Sequence, residues 1–221
     1  MTGKQVVQLA GTGRLADDLY LMAHNDSTGR PYLQPRATGT GLAGALLAEL
    51  LLAGGAGISS DGTVLPSPAP ARPADELVAA TLSQITAERE PLPAGEWLQF
   101  LGRTAAGDVA ARLAGAGYLI RAPRRPWRAG RWVPADPDCA FMPLNRARSA
   151  LDSTRAPAVY AAVLAGLAAA CGLETRLLAY APAARARRSP QEAAALLPPE
   201  LRELIAQTQA VVDSAVLAQR M

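Results

Sequence analysis

The sequence contains few of the residues from which metal sites and disulfide frameworks are built. Its 221 residues include a single histidine, His24, and two cysteines, Cys139 and Cys171. Neither cysteine belongs to a CxxC pair, and one histidine cannot complete the usual set of zinc ligands. We therefore expect two free thiols in a reducing compartment, no metal site and no cofactor.

Aromatic residues are also scarce, at 5%, whereas 48 residues are alanine. Alanine has the highest helix propensity, and β-sandwiches and barrels prefer β-branched and aromatic residues. With 50% hydrophobic and 19% charged residues, the chain has the composition of a globular protein. The composition predicts a mainly α fold.

Long hydrophobic runs are almost absent. The first residues lack an apolar run long enough for a signal peptide. Ala156 to Leu173 is uncharged, but it is short for a membrane span and dominated by alanine. We expect this stretch to form a central helix that is buried inside the protein.

Periodicity and turn residues place the remaining elements. Helices are predicted at 14–24, at 41–53, from Ala74 onwards with an apolar face that reaches Ile85, around Trp97 and Val109, at 143–154, at 157–171 and from Pro199 to the end. A hairpin is predicted at 58–65 and a hairpin or long loop at 118–135, and residues 30–38 are expected to be extended at best. The acidic pairs Asp17/Asp18, Glu88/Glu90 and Glu200/Glu203 are expected to be solvated or to cap helices.

The segment Gly39 to Gly44 spells GxGxxG, with Asp61 following at the spacing of a dinucleotide-binding fingerprint. That fingerprint requires a buried strand ending at the first glycine. Residues 31–38 contain two prolines and an arginine and do not form such a strand. The favoured interpretation is a helix start whose glycines allow close packing, with a dinucleotide-dependent enzyme as an alternative.

The sequence offers no catalytic triad. It has no GxSxG elbow, and a triad would have to use the single His24. We expect no enzymatic activity.

Positive charge is concentrated in one segment. Residues 121–135 contain five arginines and no acidic residue, and one tryptophan lies between the arginines while a second directly follows the last of them. Arginine binds phosphate in bidentate geometry, and tryptophan favours the water–lipid interface. We expect Arg124, Arg125, Arg128 and Arg131 to contact phosphates and Trp127 and Trp132 to insert into a bilayer.

Two other interpretations of this segment stay open. A solvated arginine loop with inward-packed tryptophans has the same composition, and so does a site for single-stranded nucleic acid. The membrane interpretation is favoured, and no nucleic-acid partner is expected.

The order of motifs resembles the Golgi phosphoprotein 3 family. The motifs are LADDLYLMA (15–23), GLAGALLAEL (41–50), Arg112-Leu113, GYL (117–119) and RWVPADP (131–137). The resemblance covers residues 14 to 219 and implies a single domain over 14–221 after a flexible N-terminus at 1–13. It also implies a compact helical domain with short β-hairpins around a central hydrophobic helix.

The resemblance implies a cytoplasmic peripheral membrane protein that is not an enzyme. Eukaryotic members bind phosphatidylinositol 4-phosphate, insert a hairpin beside the lipid and hold the cytoplasmic tails of membrane proteins, and oligomers occur. Of the family's four headgroup positions, Arg103 carries the family residue. Gln34, Ala43 and Ala106 replace a tryptophan and two arginines. We therefore expect binding to anionic phospholipid with Arg103 holding a headgroup, and an oligomeric assembly protein without a lipid ligand as the alternative.

Overall fold

The computed structural model describes residues 12–68, 73–122, 131–152, 154–179 and 188–218. The helices are α1 (Leu15–Ala23), α2 (Pro35–Leu52), α3 (Glu76–Ala87), α4 (Ala94–Leu101), α5 (Ala105–Gly115), α6 (Pro137–Asp152), α7 (Val159–Ala170), α8 (Glu174–Leu178), α9 (Pro190–Ala195) and α10 (Pro199–Ala218). The strands are β1 (Ala56–Ile58), β2 (Val64–Pro66), β3 (Leu119–Arg121) and β4 (Trp132–Pro134). The predicted mainly α fold is confirmed. Most of the predicted flexible N-terminus lies outside the described residues.

Helix α2 is the centre of the fold. It packs against α1, α3, α4, α5, α7 and α10. Leu42, Leu46, Leu47 and Leu50 are each at most 2% exposed. Burying each leucine contributes about 1.5–3 kcal/mol, so apolar residues around the whole circumference of α2 hold the surrounding helices together.

The start of α2 differs from the sequence prediction. Residues 30–38 were expected to be extended, but the helix begins at Pro35. Gln34 is extended at the N-cap, and Pro35 stands in the first turn, where its missing N–H costs no hydrogen bond. The prolines that suggested a loop therefore mark a helix start.

Helix α7 confirms the predicted buried helix. Its residues from Ala161 to Ala168 are all buried, and it packs against α1, α2, α6 and α10. Within the described residues, no helix combines the length and the apolar character needed to cross a bilayer.

Two short hairpins complete the fold. Strands β1 and β2 pair antiparallel, and the turn between them contains Gly62 with a φ of 83°. Strands β3 and β4 pair antiparallel, with Arg121 opposite Trp132. Both predicted hairpin positions are confirmed, although residues 123–130 lie outside the described residues.

Candidate functional site

Arg103 lies in the turn between α4 and α5, at the edge of a surface cavity of about 380 Å³. This arginine cavity is lined by Pro35, Arg36, Thr40, Gln99, Gly102 and Arg103. Both arginines are exposed. Within the described residues neither forms an ion pair, so their charge is available to an anion.

Two glycines bring the walls of the arginine cavity together. A Cβ atom on Gly39 would lie 2.1 Å from the carbonyl oxygen of Gly102, so the backbones touch at this point. Arg36 precedes Gly39 by almost one helical turn, and Arg103 directly follows Gly102. The close approach of α2 to the end of α4 therefore places both guanidinium groups at one cavity.

The N-terminus of α2 adds to the positive potential of the arginine cavity. The first N–H groups of a helix have no intrahelical acceptors and carry the positive end of its dipole. Gln34 makes no capping hydrogen bond with its side chain, and the first turn contains no acidic residue. A helix start of this kind favours phosphate and other anions.

The four positions compared with the family's headgroup pocket have different environments. Arg103 and Gln34 are exposed, whereas Ala43 is fully buried and Ala106 is partly buried. Arg36, which sequence reasoning missed, lines the arginine cavity with Arg103. In the sequence Arg36 is marked as a basic residue directly after a proline. Its place at the cavity could be recognised only once the helix start was placed at Pro35.

We call residues 119–134, which include β3 and β4, the basic hairpin, and its described part is the base. The Cζ atom of Arg121 lies 3.8 Å from the centroid of the Trp132 ring. Trp132 is half-buried and packs against the hydrophobic core, whereas Arg131 is exposed. Insertion of the Trp132 ring into lipid would require the ring to leave both contacts. Arg124, Arg125, Trp127 and Arg128 lie outside the described residues.

A tight turn supports the hairpin base. Gly29 has a φ of 61°, and a Cβ atom there would lie 2.1 Å from the carbonyl oxygen of Trp132. The side-chain oxygen of Asn25 accepts hydrogen bonds from the N–H groups of Ser27 and Thr28. The turn is therefore built to pack closely against β4.

The charged residues of α1 are buried, contrary to the sequence prediction. Asp17 and Asp18 are at most 1% exposed, and therefore neither is a solvated charge. The Nε and Nη2 atoms of Arg112 each lie 2.8 Å from Oδ1 of Asp17. Because Arg112 follows Asp17 by 95 residues, this pairing could not be read from local sequence.

Two more carboxylates surround Arg112. Its Nη1 atom lies 2.7 Å from Oδ1 of Asp75 and 3.6 Å from Oε2 of Glu49. Arg14 lies 3.2 Å from the other oxygen of Asp75. We call Arg14, Asp17, Glu49, Asp75 and Arg112 the core charge cluster. It joins α1, α2, α5 and the start of α3.

Burial shapes the titration of the core charge cluster. Burial raises the pKa of Glu49 to about 7, although the N–H of Ala16 and the charge of Arg112 oppose the shift. Burial also raises the pKa of Asp17. Asp75 behaves differently: burial would raise its pKa, but the N–H of Val78 and the charge of Arg112 hold it below its ordinary value.

Asp18 belongs to a separate buried contact. The hydroxyl of Tyr160 donates a 2.8 Å hydrogen bond to Oδ2 of Asp18, and Arg146 lies 3.6 Å from the same oxygen. Thr12 donates to Oδ1 through its N–H and its hydroxyl. Burial raises the pKa of Asp18. The contact joins α1 to α6 and α7 and is structural.

The glycines of the GxGxxG segment lie inside α2. Gly39, Gly41 and Gly44 are buried, and the space beside them is filled by Gly102, Cys171 and Thr208 respectively. No strand ends at Gly39, and the segment leaves no room for a pyrophosphate. The structure supports close helix packing and removes the basis of the dinucleotide alternative.

No metal site is found in the described part of the chain. No three histidine, cysteine, aspartate or glutamate side chains lie together in a way that could hold a metal ion there. In the core charge cluster, the carboxylates surround Arg112 instead.

Comparison with known protein families gives one match. The model of the family Golgi phosphoprotein 3 (GPP34) matches residues 15–208. No curated protein sequence matches the chain. The matched region includes α1, α2, the arginine cavity and both hairpins.

Proposed function

The chain belongs to the Golgi phosphoprotein 3 family, and from that premise we propose that it is a peripheral membrane protein that binds phospholipid headgroups through the arginine cavity. The observation that carries the proposal is that Arg36 and Arg103 line one cavity at the uncapped start of α2. Two guanidinium groups and a helix N-terminus together suit a phosphate.

The same arrangement argues for modest affinity at a single headgroup. A hydrogen bond to a charged group contributes about 1.5–3 kcal/mol, and the entropy cost of association must be subtracted. A second attachment is therefore part of the proposal. The five arginines of the basic hairpin would each contribute about 1 kcal/mol near an anionic surface.

The basic hairpin supplies this second attachment in the proposal. Arg124, Arg125, Arg128 and Arg131 contact lipid phosphates, and Trp127 enters the interface, joined by Trp132 if its ring leaves Arg121. Membrane-protein tails and other copies of the chain are further partners suggested by the family. The proposed location is the cytoplasmic face of a membrane.

Vesicle flotation tests the proposal. We expect binding to vesicles of phosphatidylcholine with phosphatidylglycerol, weakened by high salt, and little binding to phosphatidylcholine alone. The Arg36→Ala/Arg103→Ala variant should bind about a hundredfold more weakly, because each of the two lost contacts to phosphate costs at least about a factor of ten.

The matched control is Arg89→Ala/Arg202→Ala, which removes two exposed arginines away from the cavity. Equal losses in both double variants would mean that only net charge matters, and the arginine cavity would then have no special role. Self-association without any vesicle binding would favour the oligomeric assembly protein.

A further inference from the structure

A second surface cavity shares two residues with the arginine cavity. It has a volume of about 480 Å³ and lies between the end of α3 and one face of α4. This aromatic cavity is lined by Gln84, Ala87, Glu88, Leu92, Glu96, Trp97, Gln99, Phe100 and Arg103. Because Gln99 and Arg103 line both cavities, a ligand held by Arg103 can reach into either.

Acidic residues border only one of the two cavities. Glu88 and Glu96 border the aromatic cavity, and Arg36 borders the arginine cavity. All three are exposed, and in the described part of the chain none of them forms an ion pair. Glu88 accepts a 3.2 Å hydrogen bond from the N–H of Arg89, which leaves its charge uncompensated. Unpaired carboxylates therefore border the aromatic cavity alone, whereas the guanidinium group of Arg36 borders the arginine cavity alone and that of Arg103 borders both.

Glu96 and Arg103 lie towards opposite ends of the stretch that joins the two cavities. Glu96, Gln99 and Phe100 are spaced at the repeat of one face of α4, and Arg103 lies in the turn two residues after the last helical residue, Leu101. The side chains of Glu96 and Arg103 are long and exposed, so their charged ends can approach one ligand from opposite sides.

The aromatic residues add a suitable surface for a cation. Phe100 is 50% exposed, and a cation is attracted to the face of an aromatic ring. Trp97 is only 3% exposed and meets Phe100 edge-on, with the ring centroids 5.9 Å apart. Its buried Nε1–H has no hydrogen-bond acceptor among the described residues.

We propose that the two cavities together bind a phosphate diester that carries a primary ammonium group, as in the headgroup of phosphatidylethanolamine. The inference rests on the proposed function and specifies its ligand. The phosphate lies against Arg36 and Arg103, and the ammonium lies against Glu88 and Glu96. A primary ammonium donates hydrogen bonds to carboxylates, whereas the trimethylammonium of phosphatidylcholine cannot.

Vesicles that differ in one headgroup test the inference. The phosphatidylglycerol content is held constant, and phosphatidylethanolamine replaces phosphatidylcholine mole for mole. Phosphatidylethanolamine and phosphatidylcholine are both zwitterionic, so the surface charge of the vesicle does not change. We expect binding to be about tenfold tighter with phosphatidylethanolamine, the effect of about one charge-assisted hydrogen bond.

The decisive variant is Glu88→Gln/Glu96→Gln. It should lose the preference for phosphatidylethanolamine and retain binding to phosphatidylglycerol vesicles. The matched control, Glu76→Gln/Glu200→Gln, makes the same change of charge at exposed sites outside both cavities. Equal binding of the wild type to both vesicle types, or a preference that persists in Glu88→Gln/Glu96→Gln, would overturn the inference.

The Arg36→Ala/Arg103→Ala variant separates this inference from the proposed function. If that variant loses phosphatidylglycerol binding while the wild type shows no preference for phosphatidylethanolamine, only the ligand assignment fails. If the variant binds every vesicle as the wild type does, the proposed function fails, and the ligand assignment that rests on it fails too.

A soluble headgroup distinguishes the cavity from the bilayer as the source of the preference. Glycerophosphoethanolamine should shift the NMR resonance of the Trp97 indole N–H, assigned with Trp97→Phe, more than glycerophosphoglycerol does. A vesicle preference with an unmoved Trp97 resonance would place the recognition of the amine elsewhere and overturn the assignment.

Discussion

Arg103 lies just before α5 and Arg112 lies in the last turn of α5, nine residues later, yet the two arginines have contrasting surroundings. Arg112 is nearly buried and contacts Asp17, Glu49 and Asp75. Arg103 is exposed and, within the described residues, has no acidic partner. A buried guanidinium must be matched by carboxylates, whereas an exposed one can remain unpaired and bind a ligand.

The same difference appears in the charge balance of the two regions. The core charge cluster contains three carboxylates and two arginines, so one negative charge is in excess. Protonation of Glu49 relieves this excess, because burial raises the pKa of Glu49 to about 7. The arginine cavity has an excess of positive charge that an external anion would neutralise. The charge of the core charge cluster is thus balanced by its own residues, whereas the charge of the arginine cavity would be balanced by a ligand.

The largest expected effect comes from removing the matched arginine. Arg112→Met should lower the free energy of unfolding by about 3–5 kcal/mol, because three carboxylates would be left without their shared cation. The measurement is urea unfolding at neutral pH. Arg103→Met, the same substitution at the exposed arginine, should change stability by less than about 0.5 kcal/mol.

A second substitution keeps the Arg112 prediction testable if the variant unfolds. Asp17→Asn combined with Arg112→Met should restore part of the lost stability, since one uncompensated charge is removed. Equal stability losses at Arg103 and Arg112 would contradict the contrast between the two regions.

A smaller effect is expected from the pH dependence of Glu49. Its pKa rises from an ordinary 4.5 to about 7 on folding, so the folded state holds a proton that the unfolded chain releases. The resulting stability is fully present below about pH 4.5 and is lost as pH rises through 7. The difference corresponds to about 3 kcal/mol.

Glu49→Gln should remove this pH dependence. Glutamine keeps an oxygen that can accept the 2.8 Å hydrogen bond from the N–H of Ala16. We expect the variant to be more stable than the wild type at pH 8 and similar to it at pH 5, as measured by urea unfolding. An unchanged slope of stability against pH would mean that another group holds the proton.

Sequence reasoning succeeded where a local pattern decided the structure. The uncharged stretch of α7 and the apolar repeat of α10 predicted buried and amphipathic helices. The turn around Gly62 predicted the first hairpin. The family resemblance singled out Arg103, and its role at a headgroup stays a prediction.

It failed where distant parts of the chain decide the structure. The start of α2 is held by the contact between Gly39 and Gly102, and residues 31–36 alone resemble a loop. Asp17 is buried because Arg112, far along the chain, compensates its charge. Arg36 was missed for the first reason, since its place at the arginine cavity follows from the helix start.

The smallest of these effects tests the link between the core and the cavity. Gly39→Ala places a Cβ atom 2.1 Å from the Gly102 carbonyl oxygen, so α2 and the end of α4 must move apart. We expect a loss of about 1–3 kcal/mol in the free energy of unfolding and weaker vesicle binding, because Arg36 and Arg103 lie on the two sides of this contact.

Gly107→Ala is the matched control: its Cβ atom meets nothing within 4 Å, and alanine should stabilise α5 by up to about 1 kcal/mol. If Gly39→Ala lowers stability but leaves vesicle binding unchanged, headgroup binding does not depend on the two arginines being held at one cavity. The arginine cavity would then lose its role, while the core charge cluster would keep the one assigned to it.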